Sequence, residues 1–252
     1  VKLRAIATDI DRTLTDDALV MDLDAIRVIR LLEAAGLPVI LASGRDIIAL
    51  GTLAPYLGTS GVVVAEDGAV VGRFGPMSYQ TRLLGRPERV QAALTALKEA
   101  FGSDIQVVPI PSRLASLVLV RCLDLEAANR FLRDSGLAAK LLDSGLSYEL
   151  ADADVDKGTG LVEAAALLGI GVGDVAAVGD SPNDLDMFRV AGWSAAVGNA
   201  EAQVKAEATY ACALPHGQGF VEAVREVVSL FRPDLAGLPW PGSVGVVGSR
   251  IR

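Results

Sequence analysis

Two aspartates, Asp9 and Asp11, stand where the apolar run Leu3 to Ala7 ends. A run of this kind, without alternation, fits a strand buried on both faces, as in a parallel sheet. Ligands of such sheets sit at the carboxyl ends of the strands. Where the chain leaves regular extended geometry, both carboxylates of an Asp-x-Asp pair can reach one pocket, although within a regular strand they would share a face. One carboxylate can then attack or bind a metal while its neighbour moves a proton. The plain alternative is a solvated strand end, because Asp is common in turns.

Other apolar runs end in polar groups of different types. Leu37 to Ala42 runs into Ser43-Gly44-Arg45, a hydroxyl beside a flexible glycine. Val175 to Val178 runs into Gly179-Asp180-Ser181-Pro182-Asn183-Asp184, and Lys157 opens the helix before it. If the strands are parallel, these groups meet at one sheet edge. Three or four carboxylates share a pocket only when a cation neutralises them. Ligation by oxygen alone points to magnesium. A lysine and a hydroxyl beside magnesium describe a receptacle for a phosphoryl group.

Composition narrows the alternatives. The 252 residues are 51% hydrophobic, enough for a sizeable core in one domain or two. Aromatics make up only 5%, so Ala, Val and Leu must fill that core. A formal charge of -8 with no basic block speaks against a nucleic-acid surface. Cys122 and Cys212 lie far apart without a Cys-x-x-Cys pair and are expected to pack in the core. His216 is the single histidine, which excludes a His-rich zinc site. The amino terminus lacks a signal-peptide pattern and no apolar run reaches membrane-spanning length, so no membrane association and a cytoplasmic setting are expected.

The elements that must position these groups follow from periodicity. Residues 22–35 read as a helix capped by Asp22, with Ala25, Val28, Ile29 and Leu32 on one stripe and Gly36 as its stop. A helix follows Arg45 through Leu53, then a strand over Gly61 to Ala65. Glu66-Asp67-Gly68 signals a hairpin into Ala69 to Val71. From about Met77 the order becomes helix, two strands, helix, two strands: a helix from Pro87 with Val90, Leu94, Leu97 and Phe101 on one face, strands at 105–109 and 115–121, a helix at 125–135, strands at 138–142 and 146–150. This reads as a separate α+β unit. Strand–helix alternation then resumes: a helix over Leu161 to Leu168, the strand ending at Val178, a helix from Pro182 to Val190, strands near 194–197 and 208–213, and a helix at 218–231. The tail from Pro233 has no strong period and is expected to lie along the surface.

With these motifs in order, the chain resembles the haloacid dehalogenase superfamily of phosphatases. Asp9-Ile-Asp11-Arg12-Thr13 matches its Asp-x-Asp-x-Thr motif, Ser43 its second, Lys157 its third, and Gly179-Asp180-Ser-Pro-Asn183-Asp184 its Gly-Asp-x-x-Asn-Asp motif. The insertion between the second and third motifs, preceded by Glu66-Asp67-Gly68-Ala69, resembles a C2-type cap, most like that of the archaeal phosphoglycolate phosphatases, with sucrose-phosphate phosphatases and Cof-type sugar-phosphate phosphatases as relatives. The resemblance implies an α/β fold: a Rossmann-like doubly wound parallel-sheet core over 1–78 and 153–232, an α+β cap over 79–152 and a tail over 233–252. It implies a magnesium-dependent phosphomonoester hydrolase, with 2-phosphoglycolate the expected substrate. Asp9 would be the nucleophile and Asp11 the acid and base. Asp9, Asp180, Asp184 and the backbone carbonyl of Asp11 would hold Mg2+; Ser43, Gly44, Lys157 and Asn183 would bind the phosphoryl group. Thr13 would support the loop. Asn183 and Asp184 remain open between touching phosphate and orienting the metal's ligands. A phosphomutase-like transferase and a non-enzymatic phospho-acceptor are the competing classes. Two positions depart from the family: Arg12 stands where most members have Gly, and Asp67 where many have Asn.

The expected partner is a small phosphorylated metabolite. Phosphoglycolate also carries a carboxylate, and the core offers no evident spare cation for it. Pro109-Ile-Pro111-Ser112-Arg113-Leu-Ala-Ser116 joins two cap strands and would hang over the core, with Arg113 gripping the carboxylate through two parallel hydrogen bonds and Ser116 adding a hydroxyl. The sequence leaves the oligomeric state open, a homodimer included, along with the roles of Arg12, Asp67 and His216.

Overall fold

The computed structural model describes residues 2–143 and 147–241. In chain order the core begins with β1 (Ala5–Thr8), α1 (Leu23–Ala34), β2 (Val39–Ala42), α2 (Ile47–Leu57), β3 (Val62–Ala65), β4 (Val70–Phe74) and β5 (Tyr79–Leu83). The cap follows with α3 (Pro87–Phe101), β6 (Val107–Val108), β7 (Leu117–Leu119), α4 (Leu125–Asp134), β8 (Ala139–Asp143) and β9 (Tyr148–Asp152). The core resumes with α5 (Lys157–Leu167), β10 (Val175–Gly179), α6 (Leu185–Val190), β11 (Trp193–Ala196), α7 (Ala202–Glu207), β12 (Tyr210–Ala211) and α8 (His216–Phe231).

The core sheet has eight strands in the order β12-β11-β10-β1-β2-β3-β4-β5. All pairs from β12 to β3 are parallel, whereas β4 and β5 fold back antiparallel. Alternate residues feed two cores, which explains the unbroken apolar runs. Ile6, Val39, Leu41 and Val63 pack with α1, α2 and α8; Ala5, Ala7, Ile40 and Val64 pack with α5 and α6. The strand order reverses between β1 and β10, and a sheet of this type opens its ligand crevice at that point.

The cap is a four-stranded antiparallel sheet, β6-β7-β9-β8, with α3 and α4 on one face. Leu119, Leu141, Tyr148 and Leu150 meet Val90, Leu94, Leu97 and Leu132 there. Glu149 and Ala151, which alternate with those strand residues, are also buried.

Several boundaries differ from the sequence reading. Residues 79–83, expected to start the cap, form β5 and pair with β4 along their whole length. All five are exposed, so this edge strand carries no buried periodicity to read. Cap strands β6 and β7 are shorter than expected, and Leu146 lies outside the described residues. Pro182–Asp184 is a separate 3-10 turn ahead of α6. The tail is not purely a surface appendage: Leu235 is buried, and Leu238 and Trp240 pack against the core. Residues 242–252 lie outside the described residues. Among the described residues no helix is long and apolar enough to cross a membrane.

Candidate active site

The site forms where β1 and β10 lie side by side, with Thr8 level with Val178. The next residues of each strand leave the sheet at the same end. The Asp9 amide donates to the Val178 carbonyl at 2.9 Å, and Asp180 follows β10 directly. Asp184 comes back on the short turn after it. Its Oδ2 accepts from the Asp180 and Ser181 amides at 2.9 and 3.0 Å. Gly179 permits this fold-back, because a Cβ there would sit 2.4 Å from Asp184 Oδ2.

Lys157 is the first residue of α5 and only 2% exposed. Asp156 caps that helix and fixes where it starts. The Lys157 Nζ donates to Asp9 Oδ1 and Asp184 Oδ1, each at 2.7 Å, with Asp67 Oδ1 at 3.9 Å. Burial works against its charge, but Asp184 and Asp9 outweigh burial and hold its pKa well above the ordinary value.

Asp9, Asp180 and Asp184 are buried, with ligand oxygens within 4.8 Å of one another. Burial, then the neighbouring carboxylates against the pull of Lys157, pushes Asp9 well above the usual carboxylate range. Burial and Asp184 push Asp180 up to about 6. Three carboxylates facing one ammonium leave an excess of negative charge, and every donor is oxygen. That chemistry fits a hard divalent cation.

The other expected residues gather round this cluster. Ser43 is buried after β2, and its Oγ accepts from the Arg45 amide at 3.2 Å. Asn183 Nδ2 donates to Asp67 Oδ1 at 2.9 Å, while its Oδ1 is buried without a hydrogen-bond partner. Thr13 Oγ1 donates to Asp180 Oδ1 at 3.2 Å. The Asp11 carboxylate stands outside the three-carboxylate cluster. Arg45 holds it through two parallel bonds, Nε to Oδ2 at 2.9 Å and Nη2 to Oδ1 at 2.8 Å.

Both departures from the family pattern have structural outcomes. Arg12 adopts φ +64°, the left-handed conformation a glycine takes without strain. Its guanidinium lies 3.1 Å from Asp17 and 3.9 Å from Asp180. Asn199 Nδ2 and His216 Nδ1 flank its carbonyl at 2.9 and 3.1 Å, so His216 buttresses this loop. Asp67, at φ +49°, reaches toward Lys157 and Asn183.

The cap loop enters from above. Arg113 bridges Glu149 Oε1 at 2.7 Å and Ser116 Oγ at 2.5 Å through Nη1, and donates through Nη2 to the Gly44 carbonyl. Its Nε is buried without a hydrogen-bond partner. Both terminal nitrogens are therefore engaged, unlike the free two-bond grip expected from the sequence. Burial, then Asp67, against the opposing pull of Arg113, moves Glu149 up to about 7. A cleft of about 260 Å³ opens beside Arg113 and Ser116, walled by Val107, Ile110 and Val118. A larger cavity of about 390 Å³ lies beside Tyr210, Glu222 and Arg225 and takes in none of the carboxylate cluster.

The sequence gives no role to Arg45 or Glu149, and reads Glu66 only as part of a turn signal and of the segment that precedes the cap. Arg45 adjoins a motif residue, which was a usable hint. Glu149 sits in a cap strand whose burial depends on the core beneath it, and no local signal marks it.

A model of the haloacid dehalogenase-like hydrolases matches residues 6–108 and 135–224. The chain is 34% identical over 227 residues to a phosphoglycolate phosphatase of Methanoculleus marisnigri, covering 89% of this chain and 96% of that protein. It is 37% identical over 224 residues to a phosphoglycolate phosphatase of Archaeoglobus fulgidus, with the same coverage. Among solved structures, Thermoplasma acidophilum 0175 superposes with a TM-score of 0.75 at 24% identity, over 93% of this chain and all of that one. The match spans both halves of the core and part of the cap, and takes in every strand end that brings a carboxylate or a hydroxyl to the crevice and the helix start that brings Lys157; the chain belongs to the haloacid dehalogenase-like hydrolases.

Proposed function

We propose that this protein is a magnesium-dependent phosphomonoester hydrolase that forms an aspartyl phosphate on Asp9, with 2-phosphoglycolate as its substrate. The observation that carries the reading is the buried lysine joined at 2.7 Å to both Asp9 and Asp184, beside Asp180, at the strand reversal. The substrate assignment rests on relatives that bear the name phosphoglycolate phosphatase.

Asp9, Asp180, Asp184 and the backbone carbonyl of Asp11 would hold the magnesium ion. When bound it neutralises the carboxylates and the phosphoryl charge. Ser43, the Gly44 backbone, Lys157 and Asn183 hold the phosphoryl oxygens. An Asp9 carboxylate oxygen bonds to phosphorus as the bond from phosphorus to the leaving oxygen breaks, and Asp11 gives that oxygen a proton. Asp11 then takes a proton from the water that attacks the aspartyl phosphate, releasing inorganic phosphate and restoring Asp9. Arg113 supplies buried positive charge for the substrate carboxylate, with its Nε–H as the unengaged donor and Ser116 alongside.

Release of inorganic phosphate from 2-phosphoglycolate tests the reading. Activity should require magnesium, vanish with chelator, and fall to background in Asp9→Asn, which should also fail to trap labelled phosphate. Full activity after metal removal, or transfer of the phosphoryl group to an acceptor in place of free phosphate, would overturn it.

A further inference from the structure

We infer that Glu66 is a positioning residue: it clasps the cap loop to the core and so holds Arg113 over the phosphoryl site. Glu66 lies on the core side, immediately after β3, and is fully buried. Its carboxylate faces the cap. Oε1 accepts from the Leu114 amide at 2.8 Å; Oε2 accepts from the Ala115 and Ser116 amides at 3.0 Å each and from Ser116 Oγ at 2.8 Å. Four donors from three consecutive residues converge on one side chain. A carboxylate is the side chain that can accept from all four, because it offers two oxygens and no competing donor.

The same residue is anchored to the second motif. Its amide donates to the Arg45 carbonyl at 2.9 Å, and the Asp67 amide donates to the Ser43 carbonyl at 3.3 Å. Glu66 and Asp67 both adopt left-handed backbone, φ +50° and +49°. Two successive non-glycine residues in that region are unusual, and such geometry persists where the surroundings enforce it. It lets neighbouring side chains serve different partners: Glu66 the cap loop, Asp67 the Lys157 and Asn183 side of the site.

Arg113 directly precedes the clasped residues. Ser116 links the two, since its Oγ donates to Glu66 and accepts from Arg113. With the loop pinned at Leu114–Ser116, the Arg113 guanidinium lands on the Gly44 carbonyl and Glu149. Glu66 thus acts through Arg113 and through the docked position of the cap, without itself meeting substrate. Its kinetic consequence rests on the reading of Arg113 as the cation for the substrate carboxylate; the clasp itself does not.

The test uses the full-length protein and Glu66→Gln, which keeps the shape and removes one accepting oxygen. Hydrogen exchange at the Leu114, Ala115 and Ser116 amides should accelerate on the order of tenfold or more. The ratio of kcat/KM for 2-phosphoglycolate to that for phenyl phosphate should fall on the order of tenfold, mainly through KM for phosphoglycolate. Adding Glu66→Gln to Arg113→Met should lower that ratio no further, because both changes remove one effect. Unchanged exchange at these amides, an equal loss for both substrates, or multiplicative effects in the double variant would overturn the proposal. If Glu66→Gln does not fold, Ser116→Ala removes one of the four bonds, and amide exchange at Leu114 and Ala115 alone is read, because Ser116 also meets Arg113 directly; unchanged exchange there would overturn the clasp. If Arg113→Met leaves the ratio unaltered, the substrate reading fails, and amide exchange alone decides the clasp.

Discussion

Lys157 carries most of the electrostatic logic of the site. A 2%-exposed ammonium is stable only because two carboxylates sit 2.7 Å away, and those carboxylates are tolerable only because of it. Lys157→Met retains much of the volume and deletes the charge. Asp9 and Asp184 then face each other uncompensated, which should cost about 3–5 kcal/mol, the usual penalty for breaking a buried pair. Urea unfolding in chelator checks this, and turnover should fall together with stability. A loss below about 1 kcal/mol would mean that the carboxylates neutralise themselves by taking up protons.

At the scale of elements, the β3–β4 turn and the start of α5 are built against each other. Gly68 has φ +100°, and a Cβ there would lie 1.8 Å from the Asp156 carbonyl oxygen. Asp156 caps α5, whose first residue is Lys157. Gly68→Ala therefore combines a left-handed backbone penalty with a backbone clash and should destabilise by about 2–4 kcal/mol. It should also lower activity, because the helix start that carries Lys157 must move. Gly36 is the control: φ is +74° but no atom lies within 4 Å of a built Cβ, so Gly36→Ala should cost only about 1 kcal/mol and leave turnover intact. Thermal melts and phosphate release on the two variants make the comparison.

For the molecule as a whole, the acid excess at the crevice should make stability depend on both metal and pH. In the metal-free protein Asp180 titrates at about 6, above its unfolded value of 3.8, and Glu149 at about 7, above 4.5. The native state then holds protons that the unfolded chain releases. Stability from these groups is full at low pH and is lost as pH rises from about 4 through 6 and 7. Magnesium held by the Asp9, Asp180 and Asp184 oxygens, as proposed, should remove the Asp180 part of that loss. Metal at about 100 times its Kd should add about 2.7 kcal/mol, which for a chain of this size is about 5–10 °C in Tm. The gain should be larger at pH 7.5 than at pH 5. Calorimetric scans with magnesium and with chelator at both pH values check it; an equal gain at both would separate metal binding from these carboxylates.

The sequence by itself determined the parallel core, the cap's element order and which polar residues gather at the crevice. Strands buried on both faces must be continuously apolar, so Ala5–Ala7, Leu37–Ala42 and Val175–Val178 were visible, and so were the polar residues that end them. Tertiary structure alone decided what lies across element boundaries. β5 exists because β4 offers it an edge, not because its exposed residues carry a pattern. Arg45 meets Asp11 over 34 positions, Glu66 meets the cap loop over about 50, and Arg113 meets Gly44 over 69. Such contacts leave no local period, because side-chain periodicity reports which face is buried and not what buries it. Arg113 shows the division most clearly. Its loop was readable as a cap segment over the site, yet only the packed molecule revealed that its guanidinium is already held by Glu149, Ser116 and Gly44.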